Sequence, residues 1–383
     1  MASMDETQGA LLSRRLMMQG AATAASILPA LGRSTAALAA APTDSPASMT
    51  ASLTDATYIN ANENPYGPCP AAAKALTGLT TLSGRYGMSF GDKLAKLFAA
   101  QNGLTPEQVS FHPGSYVPLR AAALAWSSAE RPIAYAEPTF DSGFRGADGK
   151  PLTAAVTIPV GKDYAPDVRA LLAAAPNAGV YYLCNPNNPT GTVTSRADIE
   201  WLLANKPKGS VLLVDEAYIH YSDAESCLDL VAKGADVLVL RTFSKIYGLA
   251  GLRIGLIAGR PDLLAPLDRF ANNIIPMPAA VAAEASLLDP TVVAARKAEA
   301  NRVKASLYAW FDARGVRHVR SAGNFMMVHV GKPGGEVQKA LAAQKVMISG
   351  PRKHMDDWVR ISIGTPAEME AFKAAFAKVM GLA

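Results

Sequence analysis

The chain of 383 residues is poor in cysteine, in histidine and in charge. Its three cysteines (Cys69, Cys184, Cys227) are too few and too scattered to frame a disulfide scaffold or a zinc site. The five histidines (His112, His220, His318, His329, His354) lack metal-ligand spacing, so no metal is expected. Past the leader no uninterrupted apolar run has the length of a bilayer span, so no stable membrane insertion is expected. Lys and Arg number 37 against 32 Asp and Glu, a net charge of +5, but they are dispersed and form no stripe for nucleic acid. What the chain does have is apolar bulk. Hydrophobic residues make up 50%, enough to bury a sizeable core and too many for a disordered chain.

The first forty residues read as an address label. Ser13-Arg14-Arg15-Leu16-Met17-Met18 sets paired arginines before an alanine-rich apolar stretch from Ala21 to Leu31, and Ala37-Leu38-Ala39 offers a small-x-small cleavage site. This resembles a twin-arginine export signal, which is read by a receptor and removed. Residues 1–39 are therefore expected to be cleaved from a periplasmic or otherwise exported protein. Residues 40–83 read as a leader and N-terminal arm that packs on a small domain.

Beyond Thr54, short β-rich runs alternate with helical stretches, the pattern of an α/β architecture with a mostly parallel sheet sandwiched by helices. Seven strands are expected: Val109–His112, Pro132–Tyr135, Ala154–Ile158, Gly179–Cys184, Ser210–Val214, Val237–Leu240 and Ile254–Ala258. Several are near-continuous apolar runs, as strands covered on both faces require. Helices are expected at Gly91–Gln101, Ser115–Trp126 and Arg196–Asn205. The character changes after Ile275-Pro276-Met277-Pro278: one long helix, Thr291–Arg314, precedes strand-like Phe325–Val330 and Val359–Ile363. We expect a large domain over 84–290 and a smaller α+β domain over 291–383.

Four sites fall at the carboxyl ends of these strands, where open α/β sheets gather ligands. Arg241-Thr242-Phe243-Ser244-Lys245 follows one strand, with Arg253 eight residues on. A lysine in a turn behind a buried strand is partly desolvated, which frees its amine for Schiff-base formation. Hydroxyls of Thr242 and Ser244 with the Arg253 guanidinium describe a phosphate cup beside that amine. Val211–Val214 ends in Asp215, with Tyr218 three residues later. A buried aspartate needs a cationic partner, and a pyridinium nitrogen is one that turns its ring into an electron sink. Cys184-Asn185-Pro186-Asn187-Asn188-Pro189-Thr190-Gly191 presents Asn188, which, like Tyr218, could reach a ring oxygen. Pro113-Gly114-Ser115-Tyr116 opens a helix, whose N–H groups favour phosphate.

Asn188, Asp215, and Ser244-Lys245 with Arg253, in that order, resemble the fold-type I pyridoxal-phosphate aminotransferases. Within that group, Asn60 to Pro68 (NANENPYGP), Arg85-Tyr86, the Arg241–Lys245 turn, Ser321 with Asn324-Phe325, and Arg360 to Thr365 (RISIGT) are similar to histidinol-phosphate aminotransferases. The match runs from about Ile59 to the C-terminus. The resemblance implies pyridoxal 5'-phosphate, with Lys245 as the Schiff-base and proton-shuttling lysine and Asp215 on the pyridine nitrogen. It implies Asn188 and Tyr218 on the phenolic oxygen, and Ser115, Tyr116, Ser244, Arg253 and, more weakly, Thr242 on the phosphate. Phe140 would stack on the ring, and Tyr86 would reach a neighbouring subunit's phosphate in a homodimer. Arg360 would hold the substrate carboxylate, with Asn62 and Tyr66 on the substrate side.

The expected activity is transfer of an amino group between an amino acid and a 2-oxo acid. The alternatives are a histidinol-phosphate aminotransferase proper, or a lyase, decarboxylase or oxidase using the same cofactor. Two departures bear on substrate. Gly87-Met88-Ser89-Phe90 replaces the usual acidic turn, and Val346-Met347-Ile348 is followed by Ser349-Gly350-Pro351-Arg352, which displaces an arginine and weighs against a phosphorylated side chain. His220 and Cys184 read as structural, Glu63 as a tie for the arm, and Met326-Met327 as core filling.

Overall fold

The structure, a computed structural model, describes residues 54–382 except 83, 272 and 273. The expected signal segment and residues 40–53 of the leader lie outside the described residues. Eleven strands are present among the described residues: β1 (Thr57–Ile59), β2 (Val109–His112), β3 (Ile133–Glu137), β4 (Ala155–Pro159), β5 (Val180–Cys184), β6 (Val211–Asp215), β7 (Val237–Thr242), β8 (Gly255–Ala258), β9 (Phe325–His329), β10 (Val346–Ile348) and β11 (Trp358–Ser362).

β2 to β8 form one seven-stranded sheet in the order β2-β8-β7-β6-β5-β3-β4. Every pairing is parallel except those of β8, which runs against both β2 and β7. Burial explains the apolar runs. Along β6, Leu212 and Val214 enter one core while Val211 and Leu213 enter the other, so both faces are covered. The helices Phe90–Asn102, Arg196–Asn205 and Met277–Leu287 supply Leu94, Phe98, Ile199, Leu202 and a run of alanines to the first face. Tyr116–Trp126 covers the second with Leu119 and Ala121 to Ala123. Period-two alternation then puts Asp215 on the Tyr182 and Cys184 side of the sheet, at the carboxyl edge.

A third core gathers Ile59, Val303, Leu307, Phe311 and residues of β9, β10 and β11 against Phe372 and Phe376 of the C-terminal helix Pro366–Met380. That helix opens on a capping box between Thr365 and Glu368, with Pro366 in its first turn. β1 pairs in parallel with β10, and β9 pairs antiparallel with β11. The long helix Val292–Asp312 joins the cores, with Val292 in the first and Leu307 and Phe311 in the third. The expected strands of the large sheet lie within two residues of the observed ones. Thr57–Ile59 is a strand that the local sequence does not announce, since a three-residue strand needs the distant β10 to define it.

Candidate active site

A cavity of about 360 Å³ opens at the carboxyl edge of the sheet, walled by Ala61, Glu63, Ser115, Tyr116, Phe140, Asp215, Ala217, Tyr218, Thr242, Ser244, Lys245, Ala250, Gly251 and Arg253. A second, of about 270 Å³, shares Ala61, Phe140, Tyr218 and Lys245 with it and adds Asn62, Thr139, Asp141, Ser142, Asn188, Arg352 and Arg360. Strand ends account for most of this. Asp215 terminates β6, Thr242 terminates β7, Phe140 follows β3 and Ser115 follows β2.

Lys245 stands where the cavities meet, its Nζ donating to Ala61 O at 3.1 Å and lying 5.6 Å from the centre of the Tyr218 ring. Burial pulls its amine down from 10.5 to about 8, and the Arg360 charge pulls in the same direction; Glu63 and Asp215 oppose. Asp215 is 3% exposed. Its Oδ1 accepts from Ala217 N at 3.1 Å and its Oδ2 from the Tyr182 hydroxyl at 3.4 Å. Burial still wins and raises its carboxyl to about 6, against the opposing hydrogen bonds and the Lys245 charge. A buried carboxyl held so far from its ordinary value is a place built for a cationic partner.

The hydroxyl of Tyr218 accepts from Asn62 Nδ2 at 3.0 Å and Asn188 Nδ2 at 3.5 Å, while its ring meets Phe325 edge-on at 4.8 Å. Arg360 donates to Asn188 Oδ1 at 2.6 Å and Asn60 O at 2.8 Å, and its buried Nε has no partner. Burial lowers its guanidinium to about 10. Asn62 is locked by hydrogen bonds to Ser362 on both its backbone N and its side chain, and its φ is +54°.

At the other end Arg253 donates to Ser244 Oγ at 3.4 Å and to Ala250 O at 2.9 Å. Arg253 itself has φ +59°, a left-handed conformation that costs a non-glycine residue about 1–2 kcal/mol. Gly114, at φ +84°, leads into the helix Tyr116–Trp126; a Cβ there would stand 2.3 Å from Arg253 Nη2. Gly255, where β8 begins, is equally constrained, since its Cβ would lie 2.4 Å from Ser115 N.

The residues expected in this chain's own site converge, with one exception. Tyr66 lines neither cavity; its hydroxyl donates to Glu299 Oε1 at 3.0 Å, so the structure does not bring it to the substrate side. Tyr86 is 78% exposed and lines neither cavity. Arg352, whose displaced spacing weighed against it, does reach the second cavity because the turn after β10 folds back on Ser349. Tyr182 was missed: buried on β5, it reads as core, and only the register with β6 places its hydroxyl at Asp215. Glu63 is a wall of the cavity, not only a tie for the arm. His220 contacts Arg241 at 3.0 Å, and burial lowers it well below its ordinary range.

The family model described as aminotransferase class I and II matches residues 54–376. A histidinol-phosphate aminotransferase 1 of Cupriavidus pinatubonensis is 35% identical over 331 residues, covering 84% of this chain and 88% of that protein. A histidinol-phosphate aminotransferase of Moorella thermoacetica is 32% identical, covering 85% and 86%. Among solved structures, the histidinol-phosphate aminotransferase of Sinorhizobium meliloti in complex with pyridoxal-5'-phosphate superposes with a TM-score of 0.77 at 24% identity, over 90% of this chain and 97% of that one, and so shares the fold. The fold and site define a fold-type I, pyridoxal-phosphate-dependent enzyme. The chain belongs to the class I and II aminotransferases.

Pyridoxal phosphate fits the residues present. A partly neutral amine stands across the cavity from a carboxylate in need of a cation. Hydroxyls, a guanidinium, a helix N-terminus and the side-chain-free Gly114 make a cradle for a phosphate at the far end.

Proposed function

We propose that the chain transfers the amino group of a donor carrying two anionic groups, one held by Arg360 and the other met by Arg352. Two guanidiniums in the wall of one cavity, reached from the Lys245 amine, are the observation that carries this. Asp141, the carboxylate in the same wall, is paired with Arg145 and leaves that surface positive.

Bound in the first cavity, pyridoxal phosphate supplies an aldehyde that condenses with amines and a ring that accepts negative charge from the substrate Cα. The residues do the rest. Ser115, Tyr116, Ser244, Arg253 and the Thr242 region would hold the phosphate, and Asp215, oriented by Tyr182, would hold the ring nitrogen protonated. Tyr218 and Asn188 would contact the phenolic oxygen, with Phe140 against the ring. Lys245, its amine lowered to about 8, takes and returns the Cα proton near neutral pH. Arg360 fixes the donor carboxylate by its planar fork, with Asn62 in the same cavity wall, which leaves the Cα–H bond free to break.

Histidinol phosphate is the second reading. The relatives carry that name, and its phosphate would suit two guanidiniums. A donor screen on the purified protein decides: each candidate is mixed with holoenzyme and loss of the cofactor's visible absorbance is followed. Fast conversion by aspartate or glutamate supports a dicarboxylic donor, conversion by histidinol phosphate alone supports the second reading, and preference for neutral amino acids overturns both.

A homodimer and export through the twin-arginine route belong to the same proposal. Exposed Leu82, Tyr86 and Met88 offer an apolar surface for a second copy, with Tyr86 free to reach across. The arginine pair and apolar stretch within residues 1–39 support export, which periplasmic fractionation of the full-length chain tests.

A further inference from the structure

Glu137 ends β3 three residues before Phe140 and is 3% exposed, yet it touches neither cavity. Its carboxylate meets three basic side chains. Arg145 lies 3.3 Å from Oε1 but is shared with Asp141. The other two arrive from a distant part of the chain: Lys353 Nζ on Oε2, and the His354 ring 3.9 Å from it. Lys353 and His354 directly follow Arg352, the guanidinium in the substrate cavity.

The segment 349–355 is fastened at its base. Ser349 and Arg360 exchange backbone hydrogen bonds at 3.0 Å, and Arg352 bonds the Ser349 hydroxyl. Its tip turns over with His354 at φ +63° and a Met355 N to Arg352 O bond of 2.8 Å. Glu137 is thus the anchor on the large sheet for a turn whose base is set by the Arg360 strand. A buried carboxylate must recruit a cation, and here it recruits Lys353, with the His354 ring beside it, from the turn that carries the substrate-facing arginine.

We infer that Glu137 is a positioning residue for substrate recognition: through Lys353 and His354 it fastens the 349–355 turn and so fixes where the Arg352 guanidinium stands in the cavity wall. The inference rests on the proposed role of Arg352 toward a second anionic group. Met355, buried with Trp358 against Tyr164, is an independent apolar fastening, so loss of the ionic one loosens the turn without unfolding it.

The test uses holoenzyme of wild type, Glu137→Gln, Lys353→Met, Lys353→Arg and Arg352→Met. It measures kcat and KM for an acidic and a neutral donor, and amide hydrogen exchange across residues 349–358. Lys353 is exposed, so its variants remain informative if Glu137→Gln fails to fold. Glu137→Gln and Lys353→Met are each expected to raise KM for the acidic donor about tenfold with kcat changed less than about twofold, and to leave the neutral donor alone. Exchange at the Met355 amide should quicken, cofactor absorbance should be unchanged, and Lys353→Arg should behave as wild type. If Arg352→Met lowers the acidic preference while Glu137→Gln and Lys353→Met alter neither KM nor exchange, the positioning role is wrong and the Arg352 assignment stands. If Arg352→Met leaves the preference untouched, the assignment beneath it has failed, and the positioning role fails with it.

Discussion

Replacing Asp215 by asparagine should stabilise the cofactor-free protein and weaken the cofactor complex. Asp215 is buried and its folded value, about 6, lies above the 3.8 of an ordinary aspartate. The native state therefore binds more protons than the unfolded chain between those values. The apoprotein loses stability as pH rises from about 4 to about 6, and the loss is complete above that. Two units correspond to about 3 kcal/mol. The amide that replaces the carboxylate has no charge to bury. Its carbonyl can still accept from Ala217 N, and its NH2 can donate to the Tyr182 oxygen while that hydroxyl donates to Phe140 O, now at 3.0 Å. Urea unfolding of apo wild type and Asp215→Asn at pH 4, 6 and 7.5 measures the gap, which should grow with pH to about 3 kcal/mol in favour of the variant. With cofactor the sign reverses, because removing one partner of a buried charged pair costs about 3–5 kcal/mol, or about two to four powers of ten in Kd. A variant less stable than wild type without cofactor at pH 7.5, or a gap that ignores pH, would refute the reasoning.

Other expectations follow from the same geometry. With its amine near 8, Lys245 should be about a quarter deprotonated at pH 7.5, against about one part in a thousand for an ordinary lysine. The rate of cofactor capture by apoprotein should then rise with pH and level off near 8; a plateau above 10 would remove the desolvation argument. Arg360→Met should lift that plateau, since the Arg360 charge lowers the Lys245 value. It should also reduce kcat/KM for carboxylate-bearing donors by about two to three powers of ten while cofactor Kd changes far less. Unchanged donor kinetics would mean the substrate end is misplaced. Gly114→Ala should fold with a loss of about 1–2 kcal/mol from its positive φ and displace Arg253, weakening cofactor affinity about tenfold or more by equilibrium titration.

The large sheet was legible because its strands are covered on both faces. Leu212 and Val214 on one side, and Val211 and Leu213 on the other, leave no polar position to interrupt the run. Strand ends then located Asp215, Thr242 and Ser115 without any long-range information. Roles that depend on pairing were not legible. Tyr182 faces Asp215 through register with β6, β1 exists through β10, and Arg352 enters the cavity because its turn folds back to Ser349 and Glu137. Spacing alone misjudged Arg352, since a displaced residue in a turn can return to the same wall. Tyr66 failed the other way: it stands in the matching motif, but its hydroxyl is spent on Glu299.

Borohydride reduction of holoenzyme followed by peptide mass spectrometry asks directly which amine holds the cofactor. A single pyridoxyl group on the peptide containing Lys245, lost in Lys245→Ala together with turnover, is the expected result. A label on another lysine, or turnover that survives Lys245→Ala, would contradict it.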